Sequence, residues 1–203
     1  MQSTNFDPAV HGWHFNNTDI QWEMFHEGGL HGKNLCGGMV YLALDYFNAN
    51  RAIPPDADPP DMRSSLGKKI YDRQKAAHKH TLPRLMSGSI FKALTASSDQ
   101  WFVNSLASEF DELRKEIYQQ APVPLFLVGP GPGSGHHVLA IACQSSPSIG
   151  NPIIEVYDPN APDTRSEIKV NYTAKRITCT GTGAADKWRG FFVDPGYEFQ
   201  IPR

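Results

Sequence analysis

The chain changes character at Pro122, and that break constrains the fold more than any other feature. Before it, the periodic segments read as helices. Trp101, Phe102, Leu106, Phe110, Leu113 and Ile117 fall on one stripe of a helix over 99–119, which Ser98 or Asp99 can cap. After it, 123–128, 137–144, 153–157, 167–172, 176–180 and 191–199 are rich in β-branched and aromatic residues. Turn-forming runs at 129–135, 145–152, 158–163 and 181–186 separate them, the pattern of an antiparallel sheet. Helices followed by a sheet make an α+β arrangement whose two halves meet at a cleft. With 203 residues the expectation is a single domain, 1–121 mainly helical and 122–203 mainly β.

Within the helical half, 36–48 is almost unbroken apolar sequence, with Met39, Val40, Tyr41, Leu42, Ala43, Leu44, Tyr46 and Phe47. A helix apolar on most sides is buried at the centre of its domain. Pro54, Pro55, Pro59 and Pro60 make 51–61 an irregular loop, and a polar helix over 64–79 follows. Its basic residues, Lys68, Lys69, Arg73, Lys75 and Lys79, read as a solvated face.

Three short blocks carry chemistry. Cys36 stands in Asn34-Leu35-Cys36-Gly37-Gly38-Met39, where a turn hands over to the buried helix. A helix N-terminus favours the thiolate, which is the nucleophilic form, and two glycines leave open backbone for a substrate. His136 and His137 open an apolar strand after the run Gly129–Gly135. Side-chain alternation puts them on opposite faces, so only one can look into a given cleft. Asp158 and Asn160 follow the next strand, and either can orient the imidazole if the two strands pair. Cysteine at a helix start, histidine at a strand start and Asp or Asn after the following strand is the order needed for Cys–His–Asp acyl transfer.

The blocks Leu35-Cys36-Gly37-Gly38-Met39 with Ala43-Leu44-Asp45-Tyr46-Phe47, His136-x-Val138-x-x-Ile141 and Tyr157-Asp158-Pro159 resemble the papain-like cysteine peptidases, in particular the bacterial branch that includes the double-glycine-leader peptidases. The resemblance implies a papain-like fold, with a helical half and its buried nucleophile helix packed against a C-terminal antiparallel sheet. It selects Cys36 as nucleophile, His136 as base with His137 in reserve, and Asp158 over Asn160 as the orienting residue. The family's oxyanion glutamine has no counterpart, because Leu30 stands six residues before Cys36. Asn34, Asn17 and Gln21 are the candidates for that role. The stretch His11–Asn17 also resembles a group of bacterial effector and toxin modules. Such a module is cytoplasmic in its producer, secreted or injected into a target cell without a Sec signal, and held harmless by a cognate immunity protein. The double-glycine relatives imply cleavage near small residues or Gly-Gly.

The expected function is therefore a cysteine endopeptidase cutting a cytosolic protein. The same triad also serves deamidases, transglutaminases and cell-wall amidases. A non-catalytic binding module on the same scaffold is disfavoured by the intact Cys36, His136 and Asp158 set. Nineteen basic against 21 acidic residues argue against gripping nucleic acid or a membrane by bulk charge. Three cysteines make no disulfide framework. The first ten residues have no signal-peptide pattern, and apolar runs such as 138–143 fall well short of the ~20 residues that span a bilayer. No metal is expected, since His78-x-His80 and His11-x-x-His14 lack partner Cys-x-x-Cys pairs. No cofactor is expected either: the 129–135 run lacks the Lys-Ser or Lys-Thr of a phosphate loop and leads into a strand.

Overall fold

A computed structural model describes residues 1–20, 35–86, 99–129, 135–144, 151–174, 176–181 and 188–202. The chain begins with β1 (Gln2–Ser3), α1 (Pro8–His11) and a 3-10 turn (Asn17–Asp19). Three longer helices follow, α2 (Cys36–Asn48), α3 (Ser65–Met86) and α4 (Asp99–Tyr118). The strands come last: β2 (Val123–Val128), β3 (Gly135–Gln144), β4 (Ile153–Tyr157), β5 (Arg165–Asn171), β6 (Arg176–Cys179) and β7 (Gly190–Val193). The class is α+β, as the break at Pro122 predicts.

The strands form one sheet in the order β6-β5-β4-β3-β2-β7, with β1 also paired to β3. Every pairing is antiparallel. β3 is central, and its alternating residues serve two cores. Leu139 and Ile141 join Met39, Val40, Tyr41 and Leu44 of α2, while Val138 and Ala140 join Leu106, Phe110, Leu113 and Ile117 of α4. The sheet thus lies between α2 on one face and α4 on the other.

Helix α2 is buried from Cys36 to Tyr46, which explains its near-continuous apolar sequence. It ends where Asn50 takes φ 51°, a left-handed conformation that asparagine tolerates. Helix α3 starts on Ser64, whose hydroxyl accepts from the Gly67 N–H at 3.0 Å. It extends to Met86, past the predicted end and through Pro83. Tertiary partners hold that last stretch, because Arg84 donates to the Val193 carbonyl and pairs with Glu109 of α4. Arg73 departs from the expected solvated face. It is 3% exposed, and its Nε lies 2.9 Å from Asp45 Oδ2 in α2.

The last predicted strand, 191–199, stops at Val193. Pro195 cannot donate to a ladder, and Asp194 Oδ1 instead accepts from the Gly196 N–H at 3.0 Å to close a turn. The remaining tail runs back over α2 and α3, held by Tyr197 and Gln200 on Asp45 and by Arg73 on the Glu198 carbonyl. This fixes Asp194 beneath α2, which matters below.

Candidate active site

The first turn of α2 needs partners for its N–H groups, and no side chain of its own supplies them. Two come from elsewhere in the chain. Gln74 Oε1 of α3 accepts from the Gly38 N–H at 2.7 Å, and Asn17 Oδ1 accepts from the Leu35 N–H at 2.8 Å. Cys36 sits between these anchors as the first helical residue, 5% exposed. Among the described residues none accepts from the Cys36 or Gly37 N–H.

Gly37 and Gly38 are not open backbone at a cleft, contrary to the sequence reading. A Cβ on Gly38 would lie 2.0 Å from the Ile70 carbonyl oxygen, and one on Gly37 would lie 2.9 Å from Ala77 Cβ. Their missing side chains let α3 approach α2. Residues 130–134 of the Gly129–Gly135 run lie outside the described residues.

β3 and β4 pair, so Asp158 emerges beside the start of β3. Asp158 Oδ1 lies 2.7 Å from His136 Nε2, with side chains 0% and 4% exposed. A carboxylate only accepts, so Nε2 carries the hydrogen and Nδ1 is the nitrogen left for Cys36. The same Oδ1 accepts from the Asn160 N–H at 2.9 Å, an Asx turn that fixes its direction. The Asn160 side chain is engaged elsewhere, accepting from Asn17 Nδ2 at 2.8 Å.

Asn17 is therefore a brace, joining the residue before Cys36 to the turn that carries Asp158. Its backbone N–H also donates to the Pro159 carbonyl at 2.8 Å. This fills a different role from the oxyanion donor for which it is a sequence candidate. Gln21 and Asn34, the other two, lie outside the described residues, as does Leu30.

Burial pushes the Cys36 thiol up, but the charge and hydrogen bonding of His136, and then of His137, hold it well below its usual value. Burial also disfavours the His136 imidazolium. The Asp158 carboxylate, and then the Cys36 sulfur, outweigh it and raise His136 to about 10. The two titrations belong to the pair, and both shifts favour its thiolate–imidazolium form. Alkylation of Cys36 by iodoacetamide should therefore be near its plateau at neutral pH. An ordinary thiol of pKa about 8.5 would speed up nearly tenfold per unit in that range. A tenfold rise for the Cys36 peptide between about pH 7 and pH 8 would remove the ion pair. Cys143 and Cys179, buried in β3 and β6, serve as slow internal references.

The expectation that only one of the two histidines can look into a given cleft is also corrected. The His137 backbone N–H donates to Cys36 Sγ at 3.4 Å. The sulfur meets the strand at its main chain instead of on one face, so rings on either face act on it. Two further groups had no distinguishing sequence signal. Trp188 stacks on His136 with centroids 6.0 Å apart and planes 21° apart. Asp194 lies 3.4 Å from His137 Nε2.

Among the described residues no group of three or more His, Cys, Asp or Glu is arranged to hold a metal. No described helix is long and apolar enough to cross a membrane. No protein-family model matches the chain, and no curated protein or solved structure is significantly similar to it.

Proposed function

We propose that the protein is a papain-like cysteine endopeptidase that cuts a protein in the cytosol of a target cell, with Cys36 as nucleophile, His136 as base and acid, and Asp158 as its orienting carboxylate. The observation that carries this reading is the His136 ring, fixed at Nε2 by buried Asp158 while it lowers the thiol at the head of α2.

The Cys36 thiolate attacks the scissile carbonyl carbon, and the electron pair of the carbonyl moves to its oxygen. The Cys36 N–H, at the positive end of α2, is one donor for that oxyanion. Collapse of the intermediate expels the amine, which takes the proton from His136 Nδ1 and leaves a thioester on Cys36. Water then attacks the thioester and gives a proton to His136. Collapse releases the carboxylic acid and restores the thiolate and imidazolium. Asp158 holds the tautomer and the ring orientation through both halves.

Delivery into a competitor and a protecting immunity protein belong to the same proposal. They rest on the likeness of His11–Asn17 to effector modules. In this chain that stretch packs Trp13 against α2, with its indole N–H donating to the Met39 carbonyl at 3.0 Å.

Expression in a bacterial cytosol, wild type beside Cys36→Ala, with proteome-wide mass spectrometry tests the reading. New protein termini that vanish in Cys36→Ala are expected, and they would name the substrate. Amide-to-acid conversions at Gln or Asn without new termini would replace peptidase by deamidase. Identical proteomes would overturn the enzymatic reading.

A further inference from the structure

His137 has no part in the reaction steps above, yet it is 1% exposed beside the nucleophile. Phe126 of β2 packs edge-on against its ring with centroids 4.9 Å apart, and Tyr41 of α2 and His78 of α3 flank it. A Cβ on Gly37 would come within 3.0 Å of His137 Nδ1, which puts that nitrogen against the first turn of α2, next to Cys36. Nε2 faces the other way, 3.4 Å from Asp194 Oδ2, with side chains 1% and 0% exposed. Asp194 Oδ2 also accepts from the Tyr41 hydroxyl at 2.7 Å.

A fully buried carboxylate is costly without a compensating cation, and His137 supplies one at ion-pair distance. In an imidazolium both nitrogens carry protons. Nε2 then serves Asp194, and the proton on Nδ1 needs an acceptor. Neither ring nitrogen has a hydrogen-bond partner of good geometry among the described residues; Nε2 has the Asp194 carboxylate at ion-pair distance, which leaves Nδ1 to be served. The anion beside it is the sulfur of Cys36, already bonded to the His137 backbone N–H.

We propose that His137, held by Asp194 and Tyr41, is a second imidazolium on the Cys36 thiolate, so that the nucleophile is stabilised by rings on both faces of β3. The titratable groups facing His137 are Cys36 and Tyr41 from α2, His78 from α3 and Asp194 after β7, while His136 of β3 lies on the other face. Burial, then the charge of His137, lowers His78, which leaves it neutral. Burial, then Asp194, raises Tyr41, which keeps its proton. His137 itself is raised, with burial opposing and Asp194 and then Cys36 prevailing. Asp194 is lowered because the His137 contact outweighs burial.

The inference rests on Cys36 being the reactive thiol of the proposed function. Its test reads the thiolate and not turnover, so a failure to find a cleaved substrate leaves the test intact. Asp194→Asn is close to isosteric: its Oδ1 can keep the Gly196 N–H, and its Nδ2 can donate to a neutral His137. In this variant the acid limb of the Cys36 iodoacetamide alkylation profile should move to higher pH by about one unit or more, a tenfold fall in rate at any pH below both midpoints, and the profile should reach the wild-type plateau at alkaline pH. His137→Gln should behave alike, and thermal unfolding identifies which variants are folded. In the wild type, 15N shifts should show the His137 ring doubly protonated at neutral pH. Alkylation profiles superimposable on the wild type's in the folded variants would overturn the proposal, as would a neutral His137 ring.

Discussion

His136→Ala will slow the appearance of new substrate termini by about 10⁴-fold or more, and Cys36→Ala will do the same. The two losses will not add, because nucleophile and base act as one unit and the double variant can lose nothing further. The cause in each case is specific. Without Cys36 no thioester forms. Without His136 the thiolate loses the partner first in effect on it, and the leaving amine has no proton donor. Asp158 should divide the two functions of a carboxylate. Asp158→Asn keeps an acceptor for His136 Nε2 at the position now 2.7 Å away, so it should retain much of the turnover near neutral pH. It removes the charge that raises His136, so the alkaline limb of the rate profile should move to lower pH. Asp158→Ala loses both acceptor and charge and should be far slower than the Asn variant. The measurement is the rate of terminus formation by purified protein in a lysate, followed by mass spectrometry. General acid–base catalysis contributes about 10²–10⁴-fold, so His136→Ala retaining more than about a hundredth of wild-type activity would mean that another group carries the proton.

Much of this arrangement was legible because it is local. An apolar run with no polar face can only be a buried helix, and the predicted 36–48 coincides with α2. The strand signals at 123–128 and 153–157 coincide with β2 and β4 for a similar reason: short apolar runs bounded by turn residues have few alternatives. Cys36, the His136–His137 pair and Asp158 or Asn160 were legible from their places at element ends, the family resemblance selected His136 and Asp158 among them, and the fold brings those ends together. What escaped is what long-range packing decides. Asp194 lies 153 residues from Tyr41, and nothing in the Asp-Pro-Gly turn that carries it signals a partner under α2. Alternation correctly placed the histidines on opposite faces of β3, but it says nothing of a sulfur that meets the strand at its backbone. The polar helix expected over 64–79 runs on through Pro83, because contacts of Arg84 to Val193 and Glu109 hold its last stretch. The glycines after Cys36 were read as room for substrate, when the space they leave is already filled by α3.

That last point gives the largest expected effect on stability. In most helices Gly→Ala is stabilising by roughly 0.5–1 kcal/mol, because it restricts the unfolded chain. Gly38→Ala should reverse the sign. Its Cβ would lie 2.0 Å from the Ile70 carbonyl oxygen and 3.0 Å from the Ile70 carbonyl carbon, both main chain of α3. No rotamer relieves that overlap, so the helices must separate and the Gln74 bond to the Gly38 N–H must stretch. Overpacking of this kind costs about 1–3 kcal/mol, which for a chain of this size lowers Tm by roughly 3–10 °C. Gly37→Ala is the informative comparison. Its Cβ would meet side-chain atoms at 2.9–3.1 Å, those of Ala77, His137 and Gln74. Side chains yield where backbone cannot, so Gly37→Ala should melt closer to the wild type. It presses on His137 Nδ1, however, and should disturb the Cys36 thiolate more than it disturbs the fold. Gly38→Ala should also lose activity beyond its loss of stability, since α2 carries Cys36, and a displacement of about 1 Å between reacting groups can cost about 10²-fold. Thermal unfolding and Cys36 alkylation, measured on both variants, separate these effects. A Gly38→Ala variant that melts with the wild type would mean that α3 does not hold α2 at this glycine, and the placement of Cys36 would then depend on Asn17 and Leu35 alone.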